Sequence, residues 1–341
     1  LSPMLFHLWL LGLGYISSVG AYALSKTDGV NCKDSESSSD FAELQKYAHL
    51  ASVAYCIEKG LTLGLVGEQG DKCPSSACSH KETKALEIVR RFEFTGLFEV
   101  GSGIIAVDES SKSIYLAFMG TSTYQDWLNN LSAMPVLYRP LVVTSDDFKA
   151  VDNRDCVNCR VHKGINSFLK LNGAIVLKEV LKVKKELPDY RLVVTGHSLG
   201  AALATLAGIE LRLLGFETLV VTLAGPKVGE RNFAKFVDEL FDTSNVTKRI
   251  DEEKSFDHIG TALVRMVHLH DVVPYLPPTR FFKHSGYEYY LAKEGLTQTP
   301  ETIERRGQSY VEDEPLNYLE VLPNFRRMDH ASYFLPVSHC T

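Results

Sequence analysis

Arg191-Leu192-Val193-Val194-Thr195-Gly196-His197-Ser198-Leu199-Gly200-Ala201-Ala202 runs from an apolar, β-branched segment into small residues through a serine flanked by glycines. The part before the serine reads as a strand covered on both faces, and Leu199 to Leu214 as a helix. A bare Gly-x-Ser-x-Gly is often only a glycine-rich turn. Between a strand and a helix it fits a sharp elbow that holds the serine in strained backbone geometry while the glycines let strand and helix approach closely. Ala201, Ala202 and Ala204 extend that smallness. The helix start beyond the elbow also offers free N–H groups and the positive end of a dipole to a developing oxyanion.

Outward from this point, Leu219 to Leu223 and Leu263 to His268 repeat the continuous apolar pattern, and strand, helix, strand in this order implies a βαβ core. Upstream, Gly103 to Val107, a polar turn at Asp108 to Lys112 and Ser113 to Phe118 read as a hairpin. Residues 166 to 187 carry Phe168, Ile175, Leu177, Val180, Leu181 and Val183 at helical spacing, with Pro188 as the stop. Asp40-Phe41-Ala42-Glu43 resembles a capping box opening a first helix, with Leu44, Tyr47, Leu50 and Ala51 on one face and an end near Cys56. The expected class is α/β, one domain over residues 40–341 with a central, mostly parallel sheet flanked by helices.

Residues 1–23 read as a signal peptide, with an apolar run from Leu5 to Ile16 and Ala21-Tyr22-Ala23 as a small-x-small cleavage signature. At about 15 residues the run is shorter than the roughly 20 that span a bilayer, so no stable membrane span is expected. Residues 24–39 are polar and aperiodic, as in a linker or pro-segment. Mean hydropathy of -0.05 argues against several membrane spans, and a net charge of -6 offers no basic surface for nucleic acid. An uncharged or weakly polar substrate fits better.

Seven cysteines suit an oxidising, extracellular setting if most of them pair. Cys73 with Cys78 and Cys156 with Cys159 read as staples of short loops. The second pair could also be redox-active or half a zinc site, but no second C-x-x-C or nearby histidine pair completes a cage, so no metal is expected. Cys56 and Cys340 remain to pair across the chain, with Cys32 odd.

A serine needs a histidine base and an orienting carboxylate downstream, in the order Ser, Asp, His on such an elbow. Asp271 sits just past the strand ending at His268, where chain ends at a sheet's carboxyl edge collect reactive groups, whereas Asp242, Asp251 and Asp257 fall in a polar insertion whose plain reading is a solvated loop. Of eleven histidines, His330 enters an aromatic stretch near the C terminus, after Asp271. His268, His270 and His284 stay open as alternatives on position alone. His339 lies too near the end to be firmly held.

Phe118-Met119-Gly120-Thr121, Trp127, Val161-His162-Lys163-Gly164, the elbow, Ala224-Gly225-Pro226-Lys227-Val228-Gly229, Asp271-Val272-Val273-Pro274 and His330-Ala331-Ser332-Tyr333-Phe334 together resemble the fungal class 3 lipases, from about Phe41 to Cys340. The resemblance implies an α/β-hydrolase-type fold with a helical lid, and a triad of Ser198, Asp271 and His330. It also implies one oxyanion donor on Thr121 and a second in the backbone N–H of Leu199. Many members carry Arg where this chain has Met119, which cannot form guanidinium hydrogen bonds. Thr123 to Met134, with Trp127, Leu128, Leu131 and Met134 on one face, corresponds to the lid, although such a stripe is more commonly a buried core helix.

These readings together predict a secreted carboxylic ester hydrolase that attacks lipid or other esters at an oil-water interface by acyl transfer, without metal or organic cofactor. A phospholipase A1 or feruloyl esterase on the same fold, and a catalytically silent binding protein, are the competing expectations. A thiol oxidoreductase built on Cys156 and Cys159 has no supporting context. Asn130 and Asn245 stand in glycosylation sequons.

Overall fold

The computed structural model describes residues 39–94, 101–121, 134–152, 154–277, 281–308 and 327–340. The expected signal peptide, residues 24–38 of the expected linker with Cys32, the Asn130 sequon and the stripe residues Trp127, Leu128 and Leu131 lie outside the described residues. Met134, the last of that stripe, is described and exposed.

Nine strands form one sheet whose spatial order follows the chain: β1 (Gly64–Leu65), β2 (Glu87–Phe92), β3 (Gly103–Asp108), β4 (Ser113–Phe118), β5 (Arg191–His197), β6 (Thr218–Leu223), β7 (Ala262–His268), β8 (Tyr287–Leu291) and β9 (Ile303–Gln308). The five central strands β4 to β8 pair in parallel. Antiparallel strands extend both edges, and the expected hairpin is β3 against β4. Strands β4, β6 and β7 are buried at every position, which is why their sequences run apolar instead of alternating.

Alternate residues of these strands feed two cores. Ala117, Val193 and Val221 pack on one face beneath α1 (Ser39–Tyr55), whose Leu44, Tyr47, Leu50 and Ala51 are buried as the spacing predicts. Leu116, Val194 and Val220 pack on the other, beneath α2 (Ala174–Glu186) and α3 (Leu199–Leu213). Each fully covered aliphatic side chain contributes about 1.5 to 3 kcal/mol to holding these layers together.

Three sequence readings are corrected. Asp40 does not cap its helix: the helix already starts at Ser39, and the Asp40 carboxylate is buried, accepting from Arg305 Nε at 2.6 Å and Nη2 at 2.8 Å and from the Tyr289 hydroxyl at 3.1 Å. Ile175 is 52% exposed although it shares a helical phase with Phe168. Leu169–Gly173 form a π-helical turn between the helix at Lys163–Phe168 and α2, and the wider turn rotates Ile175 out of the buried stripe. Asp257 is no solvated loop residue, for it pairs with Lys46 at 3.1 Å and Arg191 at 2.9 Å and ties α1 to β5.

The cysteines join as Cys56–Cys340, Cys73–Cys78 and Cys156–Cys159. Sulfurs of Cys56, Cys73 and Cys78 lie within 4.8 Å of one another, but all three are in disulfides and none is free to bind metal as a thiolate. No helix among the described residues is long and apolar enough to cross a membrane.

Candidate active site

Strand β5 ends at His197 and α3 begins at Leu199, so Ser198 alone makes the turn, with φ 60° and ψ −127°. Such a conformation is strained for a residue with a Cβ and costs of the order of 1 to 3 kcal/mol. Flanking glycines are required by space. A Cβ on Gly196 would lie 2.3 Å from the Gly200 carbonyl oxygen, and one on Gly200 would lie 2.5 Å from the Phe118 oxygen of β4. The elbow is therefore wedged between its own helix and the neighbouring strand, and it points Ser198 to one fixed place.

His330, on a short helix at Arg327–Ala331, meets it there. Ser198 Oγ donates to His330 Nε2 at 2.9 Å, and His330 Nδ1 donates to the Asp271 carboxylate at 3.0 Å and 3.1 Å. All three side chains are buried. Asp271 follows β7 closely, as its position relative to His268 implies, and it is held by two further donors: the Val273 N–H at 2.9 Å and the Tyr333 hydroxyl at 2.7 Å. Burial pushes the Asp271 carboxyl up, but the His330 imidazole and these hydrogen bonds outweigh it, leaving the group below its ordinary value. It stays an anion, able to fix the tautomer of His330 and to balance an imidazolium.

The other candidates are placed elsewhere. His268 is wholly buried, with Nδ1 3.1 Å from the Asp329 oxygen and Nε2 2.8 Å from the Lys293 oxygen. His284 faces the Pro274 oxygen, and His270 lies 3.5 Å from Glu294 near the surface. Asp242 accepts from the Asn245 amide and Asp251 from the Tyr287 hydroxyl. Asn245 is itself exposed on the helix Thr243–Glu253.

Leu199 is the first residue of α3, so no preceding helical carbonyl is in register to accept its N–H. Gly120, just before Thr121, abuts Ser198: a Cβ there would lie 3.0 Å from Ser198 Cβ. The loop carrying Thr121 thus runs beside the serine. Met119 is partly buried against the core under α1, and its N–H donates to the Ser102 oxygen at 3.0 Å. Sequence reading singled out neither Tyr333, as a partner of Asp271, nor Tyr55, whose hydroxyl lies 2.7 Å from His197 Nδ1. For Tyr333 the available signal was a tyrosine three residues beyond the candidate base.

The chain is similar to several known proteins. The family model for "Lipase (class 3)" matches residues 115–281, a span that includes Ser198 and Asp271. LIH1 of Saccharomyces cerevisiae, which its name provisionally calls a lipase, is 38% identical over 260 residues, covering 71% of this chain and 75% of its own. The secreted mono- and diacylglycerol lipase 2 of Gibberella zeae is 29% identical over 283 residues, or 77% of this chain and 65% of its own. A solved structure of the nonglycosylated LIP2 lipase of Yarrowia lipolytica superposes with a TM-score of 0.71 at 28% identity, over 89% of this chain and 96% of that one.

Proposed function

Since the chain belongs to the class 3 lipase family and is a carboxylic ester hydrolase of α/β-hydrolase type, we propose that it is a secreted triacylglycerol lipase using Ser198, His330 and Asp271 as its triad. One observation carries the assignment of residues: a single buried chain of hydrogen bonds running from Ser198 Oγ through both nitrogens of His330 to Asp271, with the serine on a strained elbow.

In this reading His330 Nε2 takes the Ser198 proton as the oxygen attacks the ester carbonyl, and then gives it to the leaving alcohol. Water repeats the cycle on the acyl-enzyme and frees the acid. Thr121 and the Leu199 N–H hold the oxyanion in the tetrahedral intermediates, and loss of one such donor lowers the rate by about two to three orders of magnitude. Secretion is supported by three disulfides, by the apolar N-terminal run and by the likeness to a lipase named as secreted. Residues 1–23 are then the signal peptide, 24–39 a linker or pro-segment, and 40–341 the catalytic domain.

The test is labelling with a fluorophosphonate probe together with hydrolysis of p-nitrophenyl esters of increasing chain length. Wild-type protein should label and prefer long chains, while Ser198→Ala should not label, and Asp271→Ala and His330→Ala should lose at least about three orders of magnitude in kcat. Turnover at the wild-type level in any of the three removes that residue from the triad. A wild-type protein that fails to label would favour a silent scaffold, and a preference for short or aromatic esters would favour an esterase.

A further inference from the structure

Behind the nucleophile, a second chain of hydrogen bonds joins three segments that are far apart in sequence and touches none of the reacting atoms. His197, the residue before Ser198, is fully buried. Its Nε2 lies 2.7 Å from the backbone oxygen of His330. A carbonyl oxygen only accepts, so the imidazole proton sits on Nε2 and Nδ1 is left as a bare acceptor. The Tyr55 hydroxyl, 2.7 Å away, donates to it. Its oxygen also abuts the backbone of Gly120, where a Cβ would lie only 2.4 Å away. Both hydrogen-bond directions are thereby set: Tyr55 to His197, and His197 to the His330 backbone.

We propose that Tyr55 is a positioning residue for catalysis, its hydroxyl setting the spacing between the oxyanion loop at Gly120-Thr121 and the pair Ser198–His330. The inference rests on the triad reading given above. Three observations carry it. The loop is packed onto Tyr55 and the elbow at once, since a Cβ on Gly120 would lie 2.4 Å from the Tyr55 hydroxyl oxygen, 2.8 Å from the His197 oxygen and 3.0 Å from Ser198 Cβ. His197 bonds to the backbone of the very residue whose side chain receives the Ser198 proton, so base and nucleophile share one anchor. Tyr55 is itself fixed, at the end of α1 and next to Cys56, whose disulfide to Cys340 ties it to the segment that bears His330.

The chain is a spacer and not a proton store. Burial, helped by the neighbouring His330, pushes His197 down to about 3, and burial pushes the Tyr55 phenol above its ordinary value. Neither group changes charge near neutral pH. Oxyanion donors work only within about 2.7 to 3.1 Å of the developing charge, and a displacement of about 1 Å costs roughly 100-fold in rate.

The experiment is Tyr55→Phe, which keeps the ring and removes the hydroxyl, with Tyr47→Phe as control. Tyr47 lies on the same helix, is equally buried, and bonds to Asp257 away from the site. On soluble p-nitrophenyl butyrate, Tyr55→Phe should lose about 10- to 100-fold in kcat with KM within twofold, and should be inactivated by diethyl p-nitrophenyl phosphate more slowly by a similar factor. Tyr47→Phe should keep wild-type kcat whatever it loses in melting temperature. Equal kcat in the two variants overturns the proposal, while turnover by Ser198→Ala would instead overturn the triad reading beneath it. In wild-type protein, nitrogen-15 NMR of the His197 ring should find the proton on Nε2, and a proton on Nδ1 would refute the direction of the chain without any variant having to fold.

Discussion

Glu210 offers the sharpest quantitative test of the structure. It lies on the helix that begins beside Ser198, is fully buried, and accepts from the Tyr138 hydroxyl at 3.1 Å and from the N–H groups of Leu141 and Val142 at 3.0 Å each. It thereby ties the segment from Tyr138 to Thr144, which follows the expected lid, to the helix after Ser198. Three donors favour the carboxylate, yet burial outweighs them and pushes Glu210 up to about 7. The native state therefore holds this proton to higher pH than the unfolded chain does. The resulting stability is fully present below the ordinary glutamate value and is lost as pH rises through about 7. With pKa values of about 7 folded and 4.5 unfolded, raising the pH from 5 to 8 removes roughly 2 to 3 kcal/mol through this one group. Glu210→Gln keeps the volume and cannot titrate. Urea unfolding at both pH values, disulfides intact, should show wild type losing roughly 2 to 3 kcal/mol more than Glu210→Gln over that interval, every other titrating group cancelling in the difference. If the two proteins lose the same amount, Glu210 is already ionised below pH 5 and the balance argued here between burial and its three donors is wrong.

Two further outcomes follow from the same structure. Replacing Cys56 and Cys340 by serine removes a link across 284 residues, which should lower stability by about 5 to 6 kcal/mol in the chain-entropy account and visibly lower the melting temperature without reductant; an unchanged melting temperature would show that packing alone holds the two ends. Trp127→Ser should blunt the rise in activity as a long-chain triglyceride passes from monomers to emulsion, by about 10- to 100-fold if its burial at the interface is worth 1.5 to 3 kcal/mol, and spare hydrolysis of a short soluble ester. Equal losses on both substrates would identify Trp127 as a core residue.

What the sequence made legible was local. Ser198 could be placed because strand, turn and helix around it lie within a few dozen residues, and the sheet could be read because its spatial order follows the chain. Asp271 lies where the strand end just before it implied. Errors arose where a residue's partner is remote or where a turn changes pitch. Asp40 looks like a cap because helix starts favour acids, but its partner Arg305 lies 265 residues away. Ile175 keeps a perfect helical spacing that a single π-turn upstream puts out of phase.

Buried polar side chains form an intermediate case. Glu210 stands between Ile209 and Leu211 in a helix that is apolar on nearly all sides, and His197 stands in a strand covered on both faces. A polar group in such a place is tolerated only with partners, because an unmet one costs about 1 to 3 kcal/mol. The pattern therefore announces that a partner exists. It cannot say which, because the partners are chosen by the packing of distant elements: Tyr55 reaches His197 across 142 residues, and Tyr138 reaches Glu210 across 72. Both pairs bear on Ser198, one from the strand before it and one from the helix after it. A polar residue in an otherwise unbroken apolar element is thus the sequence feature by which support for a catalytic serine can be sought, and the fold then supplies the name of its partner.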